Sequence, residues 1–149
     1  MKIYVAASFA YEDKEKTAER KLMIEAIIDR IHKHLEGEYF LPHQMKIENA
    51  WDYTLMEWGR KVYEEDLKHL DDADMVLFIS FGKENNAGAV WEVGYAAAKR
   101  KRIVVIKMST NPESLMVVNS AHIMILPHEI DNVDWVNLQR VITEVYKLS

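Results

Sequence analysis

The chain has 149 residues, 49% hydrophobic and 29% charged, which excludes a disordered polymer and suits one folded domain spanning 1–149. It contains no cysteine, so disulfides, thiolate metal sites and a cysteine nucleophile are excluded. With 19 Lys and Arg against 24 Asp and Glu, the net charge of −5 argues against a nucleic-acid polymer as partner, although not against a small anion held by local donors.

Ile3–Ala7 is apolar on both faces and predicts a buried parallel strand. Met1 runs directly into it, leaving no room for a signal peptide, and a cytoplasmic location is expected. Lys14 to Leu35 predicts a helix, with Leu22, Ile24, Ile27, Ile28, Ile31 and Leu35 as its apolar stripe and Gly37 ending it. Tyr39–Leu41 before Pro42 predicts a second strand, followed by a loop over His43–Glu48. Asn49 is suited to cap a second helix from Ala50 to about Leu70, with Trp51, Leu55, Trp58, Val62 and Leu67 on its apolar side.

Met75–Ser80 predicts a third strand, too short an apolar run to span a membrane, so no membrane contact is expected. Phe81–Gly88 reads as a polar loop, Ala89–Arg100 as a helix and Ile103–Met108 as a fourth strand. A short helical segment near Glu113–Val118 precedes a fifth strand at Ile123–Leu126. Asp134–Leu148 predicts a closing helix with Val136, Leu138, Val141, Ile142 and Val145 inward. This alternation predicts an α/β fold: a flavodoxin-like doubly wound five-stranded parallel sheet, order 2-1-3-4-5, with helices on both faces. Such a sheet holds ligand at the carboxyl ends of strands one and three, which directs attention to Ala7–Tyr11 and Phe81–Glu92.

In the second of these segments, Gly88 and Ala89 allow backbone to approach a ligand closely. Gly94 and Ala96–Ala98, almost without side chains, suit a helix lying close against a sheet. A Glu92 carboxylate pointing into the crevice is partly desolvated yet favoured by the helix N-terminus, a setting for a nucleophile or base. The plain alternative is a solvent-facing glutamate that stabilises the first turns of its helix.

Three ordered segments resemble the nucleoside 2-deoxyribosyltransferase family and its related deoxynucleotide N-glycosidases. They are Ile3–Ser8, Glu65–Leu67 before Ala73–Val76, and Gly88–Ala89–Val90–Trp91–Glu92–Val93–Gly94–Tyr95–Ala96. The resemblance implies that Glu92 attacks the anomeric carbon of a 2-deoxyribosyl group, expels the base and forms a glycosyl ester that a second base or water resolves. It also implies that Tyr4 hydrogen-bonds this carboxylate and that Asp66 donates or relays a proton near the base. The plain alternatives are a core tyrosine for Tyr4 and an exposed helix charge for Asp66. Ser8, Asn86 and Gly88 are implied substrate contacts. His43 and Gln44 follow the second strand, where the family's base-contacting loop sits; Gln44 either reads a base edge with its amide or belongs to a polar surface loop. Ser114–Leu115–Met116 resembles a segment that a neighbouring subunit contributes, which makes Met116 a pocket candidate and a homo-oligomer with shared sites the expected assembly.

The chain departs from the family pattern at Asn86, where the transferases usually carry an aspartate and the nucleotide N-glycosidases often a serine. An amide hydrogen-bonds a base edge but is no general acid at neutral pH. Ala7–Ser8 replaces a more typical glycine-containing pair, and Glu12 and Asp13 disfavour a phosphate nearby, which favours a nucleoside over a nucleotide. The six histidines show no zinc-site spacing, and neither metal nor cofactor is expected. Trp51, Tyr53, Trp58 and Trp91 suit core or interface better than a base-stacking wall, and Lys99–Arg102 suits a helix C-terminus. The expected activity is transfer of 2-deoxyribose between nucleobases, with small-molecule nucleoside and nucleobase as partners. Alternatives are hydrolysis of a deoxynucleoside or nucleoside 5′-monophosphate, or a non-catalytic nucleotide-binding or TIR-like module.

Overall fold

A computed structural model describes residues 1–82, 86–138 and 140. Five strands, β1 (Lys2–Ala7), β2 (Glu38–Phe40), β3 (Met75–Ser80), β4 (Arg102–Lys107) and β5 (Ile123–Ile125), form one sheet in the order β2-β1-β3-β4-β5. Every pairing is parallel, so the expected topology is the observed one. Helices α1 (Lys14–His32), α2 (Leu55–Asp72), α3 (Ala87–Ala98) and α4 (Leu115–Ser120) link the strands.

Strand periodicity divides the core into two layers. Ile3 and Val5 of β1 join Leu77, Ile79, Val104 and Ile106 against Ile24, Ile27, Ile28 and Ile31 of α1. Tyr4 and Ala6 point the other way, with Val76, Phe78 and Val105, against Leu70 of α2 and Ala89, Val93 and Ala96 of α3. The alternation therefore turns Tyr4 towards the two helices that carry Asp66 and Glu92. The pairing of Ala7 with Ile79 sets the carboxyl ends of β1 and β3 side by side, where the crevice was expected.

Several local expectations are corrected. The second helix does not start at Ala50: Asn49 has a left-handed φ of 55° and precedes a 3-10 turn at Ala50–Asp52 without a side-chain cap. The cap of α2 is Thr54, whose hydroxyl accepts from the Glu57 amide while the Glu57 carboxylate accepts from the Thr54 amide. This reciprocal box satisfies two helix-end donors, which Asn49 does not. Helix α1 ends at His32, and its Leu22 is exposed outside the apolar stripe. Gly94 has nothing near the position of an added Cβ and faces outward, since Ala89, Val93 and Ala96 supply the sheet-facing row of α3. Near the C-terminus Leu138 packs on the core, whereas Val136 is exposed; Val141, Ile142 and Val145 lie outside the described residues. Among the described residues no helix is long and apolar enough to cross a membrane.

Candidate active site

The buried Tyr4 hydroxyl donates a hydrogen bond to Glu92 Oε1 at 3.0 Å, joining β1 to the second turn of α3. Asp66, from the middle of α2, reaches the same hydroxyl, and its buried Oδ1 has no hydrogen-bond partner. Two carboxyl groups thus share one phenol in a poorly hydrated place. Burial pushes the Glu92 carboxyl up to about 8, the Asp66 charge adds to this, and the Tyr4 hydrogen bond works against it. Burial likewise lifts Asp66 to about 6, opposed by Tyr4 and aided by Glu65. The Tyr4 phenol is held far above its usual range by burial and by the charges of both carboxylates, so it remains a donor. The cluster titrates as a unit and keeps an acidic proton available at neutral pH.

Above it opens a cavity of about 480 Å³, within the size range of small-ligand sites. The segment after β1 contributes Ser8 and Phe9, the segment after β2 Pro42, His43, Met45 and Ile47, and α1 contributes Lys21. Trp58, Val62 and Asp66 of α2 close one side, with Gly88, Ala89 and Glu92 of α3 beside them. Nothing stands within 4 Å of the position a Gly88 Cβ would take, so this glycine leaves free space at the ligand wall. The mixture of apolar walls and a few convergent polar groups suits a ring-bearing polar ligand.

Of the residues singled out in the sequence, Glu92, Asp66, Ser8 and Gly88 line this cavity, and Tyr4 lies directly against Glu92. Three others stand elsewhere. Asn86 donates its amide to the Gly82 carbonyl at 2.9 Å, and Gln44 donates to Glu25 at 3.1 Å. Met116 on α4 is 79% exposed and borders a separate depression with His122 and Asn119. Trp91 stacks with Tyr95 and meets Tyr63 outside the cavity, whereas Trp58 is an indole on its wall. Among the described residues no group of three or more His, Asp or Glu is placed to hold a metal ion.

Contrary to expectation, Glu12 and Asp13 do not stand beside the ligand site. Both are exposed away from the cavity wall, and Asp13 is occupied as the cap of α1, accepting from the Glu15 and Lys16 amides. Lys21, which was not singled out in the sequence, and His43, which was placed only in the loop after the second strand, are both wall residues. The signal for His43 was its place directly after the second strand, beside Pro42, on the ligand-facing edge of the sheet. For Lys21 the signal was the first turns of the helix after β1.

A flavodoxin-like sheet with a phenol-linked carboxylate pair at its switch point defines a class of protein built to act on a small ligand. The particular family follows from the sequence profile: the chain belongs to the nucleoside 2-deoxyribosyltransferase family, matched over residues 3–126. Its fold is similar to that of a 2-deoxyribosyltransferase from Bacillus psychrosaccharolyticus, with a TM-score of 0.72, 22% identity and coverage of 93% of this chain and 96% of the other. A conserved protein from Enterococcus faecalis has a TM-score of 0.59 at 15% identity, covering 95% and 96% respectively. A CMP N-glycosidase from Clostridium botulinum has a TM-score of 0.56 at 16% identity, covering 97% and 98%. No curated protein matches the chain in sequence.

Proposed function

We propose that the protein is a nucleoside 2-deoxyribosyltransferase that moves 2-deoxyribose between nucleobases through a glycosyl ester on Glu92. The observation that carries this reading is the 3.0 Å hydrogen bond from Tyr4 to Glu92 on the floor of a nucleoside-sized cavity. The bond fixes the carboxylate rotamer with one oxygen held by the phenol and the other left to attack C1′. Attack breaks the bond to the base and forms the ester; a second base then attacks the opposite face, and configuration is retained. The missing 2-hydroxyl leaves no electron-withdrawing oxygen beside the developing positive charge. Asp66, able to hold a proton near neutral pH, is a proton relay beside the nucleophile. Ser8 and Gly88, on the cavity wall, are substrate contacts in this reading, whereas Asn86 acts indirectly, by bonding the Gly82 carbonyl.

A second reading, an N-glycosidase acting on a nucleoside 5′-monophosphate, is favoured by Lys21, a cation on the cavity wall. One incubation separates the readings: a deoxynucleoside, and separately its 5′-monophosphate, with and without a second free base, products resolved by chromatography. Transfer predicts a new deoxynucleoside only when acceptor is present. Free base formed from the monophosphate without acceptor supports the glycosidase, and no turnover supports a non-catalytic module.

The assembly in this reading is a cytoplasmic homo-oligomer whose subunits complete one another's sites. Leu55, Met56, Tyr63, Trp91, Leu115 and Met116 are exposed apolar side chains on α2, α3 and α4, a surface suited to a second copy. Met116 then reaches a neighbour's cavity rather than its own. Specific activity is expected to fall on dilution, in step with loss of the larger species by light scattering. Unchanged specific activity in a dilute monomer contradicts shared sites.

A further inference from the structure

A second titratable pair stands at the cavity, apart from the Tyr4 cluster. His43 lies in the 3-10 turn Pro42–Gln44 that follows β2, and its ring Nε2 is 3.0 Å from Glu25 Oε1 of α1. The Gln44 side-chain amide donates to the same oxygen at 3.1 Å. The His43 side chain is 4% exposed, and its ring packs at a tilt against Phe9, with centroids 5.4 Å apart. Pro42 opens the turn and the Gln44 amide bonds the Leu41 carbonyl, so backbone and side chain are both held. With Nε2 tied to a carboxylate, Nδ1 is the ring position left for a ligand.

The arrangement matters because a departing nucleobase needs a proton. As the bond from C1′ to the base breaks, its electron pair stays on the base, and an anionic purine or pyrimidine is a poor leaving group. The Asn86 amide carries no acidic proton and is turned to Gly82. Glu92 has to be ionised to attack, and Asp66 is gathered with it around Tyr4. His43 instead approaches from the segment after β2, while Glu92 follows β3, with β1 between those strands. The two side chains therefore reach the cavity from either side of β1, as a base and its sugar require.

We propose that His43, oriented by Glu25, binds the edge of the nucleobase through Nδ1 and protonates it as the glycosidic bond breaks. The proposal rests on the glycosyl-transfer reading above. In the forward step a Glu92 oxygen bonds to C1′, the bond from C1′ to the base breaks, and the Nδ1 proton passes to the base. In the return step the acceptor base, or water, attacks C1′, gives its proton to Nδ1 and releases the Glu92 carboxylate. Glu25 is the positioning residue: its carboxyl is held below the usual range, first by the hydrogen bond to His43, then by Gln44. Glu25 of α1 is bonded to the ring, and the charged groups that share the cavity lining with His43 are Lys21 from α1, Asp66 from α2 and Glu92 from α3; the segment after β1 contributes the uncharged Ser8 and Phe9.

The test compares two donors with the same sugar. One is the natural 2′-deoxynucleoside or 5′-monophosphate that the wild-type enzyme turns over fastest. The other carries 7-methylguanine, which is already cationic and leaves as a neutral base without added proton. His43→Gln is expected to lower kcat on the natural donor about 100-fold while holding the 7-methylguanine donor within about threefold. Retained activity on the second donor also shows that the variant is folded. Glu25→Gln is expected to cost about tenfold on the natural donor and to spare the 7-methylguanine donor, since the imidazole loses the partner that orients it. Equal losses on both donors, or no loss on the natural one, overturn the assignment of His43. If the wild-type enzyme releases neither base, the glycosyl-transfer reading itself fails, and this proposal with it.

Discussion

Glu92→Ala is expected to lower turnover of a deoxynucleoside by about 10⁴-fold or more, with transfer and base release lost together, because both pass through the same ester. Chromatography of donor, acceptor and products reads the loss directly. Glu92→Gln should be equally inactive yet folded, since the amide fills the same space and still accepts from Tyr4. The amide variant also carries a stability signature. Burial lifts the Glu92 carboxyl from 4.5 to about 8 in the folded chain, so between those values the folded state binds more protons than the unfolded one. Wild-type stability therefore falls as pH rises through that window. Glu92→Gln, which has no proton to lose, should gain on the wild type by on the order of 5 kcal/mol above pH 8. Thermal melts that stay parallel across the window contradict the burial argument; full activity in Glu92→Ala removes the nucleophile assignment.

Tyr4→Phe carries the second large effect. The phenyl ring keeps the packing of Tyr4 against Phe40 and the sheet, while the hydrogen bond to Glu92 is lost. We expect kcat/KM to fall by about 10- to 100-fold, as for loss of a buried charge-assisted hydrogen bond that also orients the nucleophile. The sign of the pH effect follows from the same contact. Tyr4 lowers both carboxyl groups, so removing it raises them, and the acid limb of kcat/KM should move to higher pH. A rate–pH series on both proteins measures this. A uniform loss with an unmoved acid limb would reduce Tyr4 to a packing residue.

The sheet was legible because its strands are short apolar runs separated by helical spacing, and parallel strands buried on both faces leave just such a pattern. Strand order followed from chain connectivity and handedness. Helix starts were less legible. Asn49 and Thr54 are both good capping residues, and the choice between them rests on the reciprocal bonds of Thr54 with Glu57, a signal present in the sequence as Thr-x-x-Glu. Position on the periodic pattern sufficed to place Glu92, Asp66 and Tyr4 on the elements that bring them together. Whether they would meet depended on side-chain direction: Tyr4 reaches α3 because it lies on the opposite face of β1 from Ile3 and Val5.

The substrate contacts were harder to read because loop side chains spend their polar groups on neighbours that spacing does not reveal. Gln44 is taken by Glu25, Asn86 by Gly82 and Asp13 by the end of α1. The place of His43 after the second strand was legible, but its pairing was not, since its partner Glu25 lies on α1. Net charge likewise misled at short range. Two acidic residues next to the crevice in sequence do not line it, and a lysine a few turns along α1 does.

The central claim is a covalent bond between 2-deoxyribose and Glu92. It is tested most directly by quenching the wild-type enzyme with acid within milliseconds of mixing with a deoxynucleoside and no acceptor, then weighing the intact protein and its peptides. The account predicts one added 2-deoxyribosyl group, on the peptide carrying Glu92, absent from Glu92→Gln and discharged when a free base is added. Turnover with that peptide unmodified, or with the sugar on another residue, contradicts it.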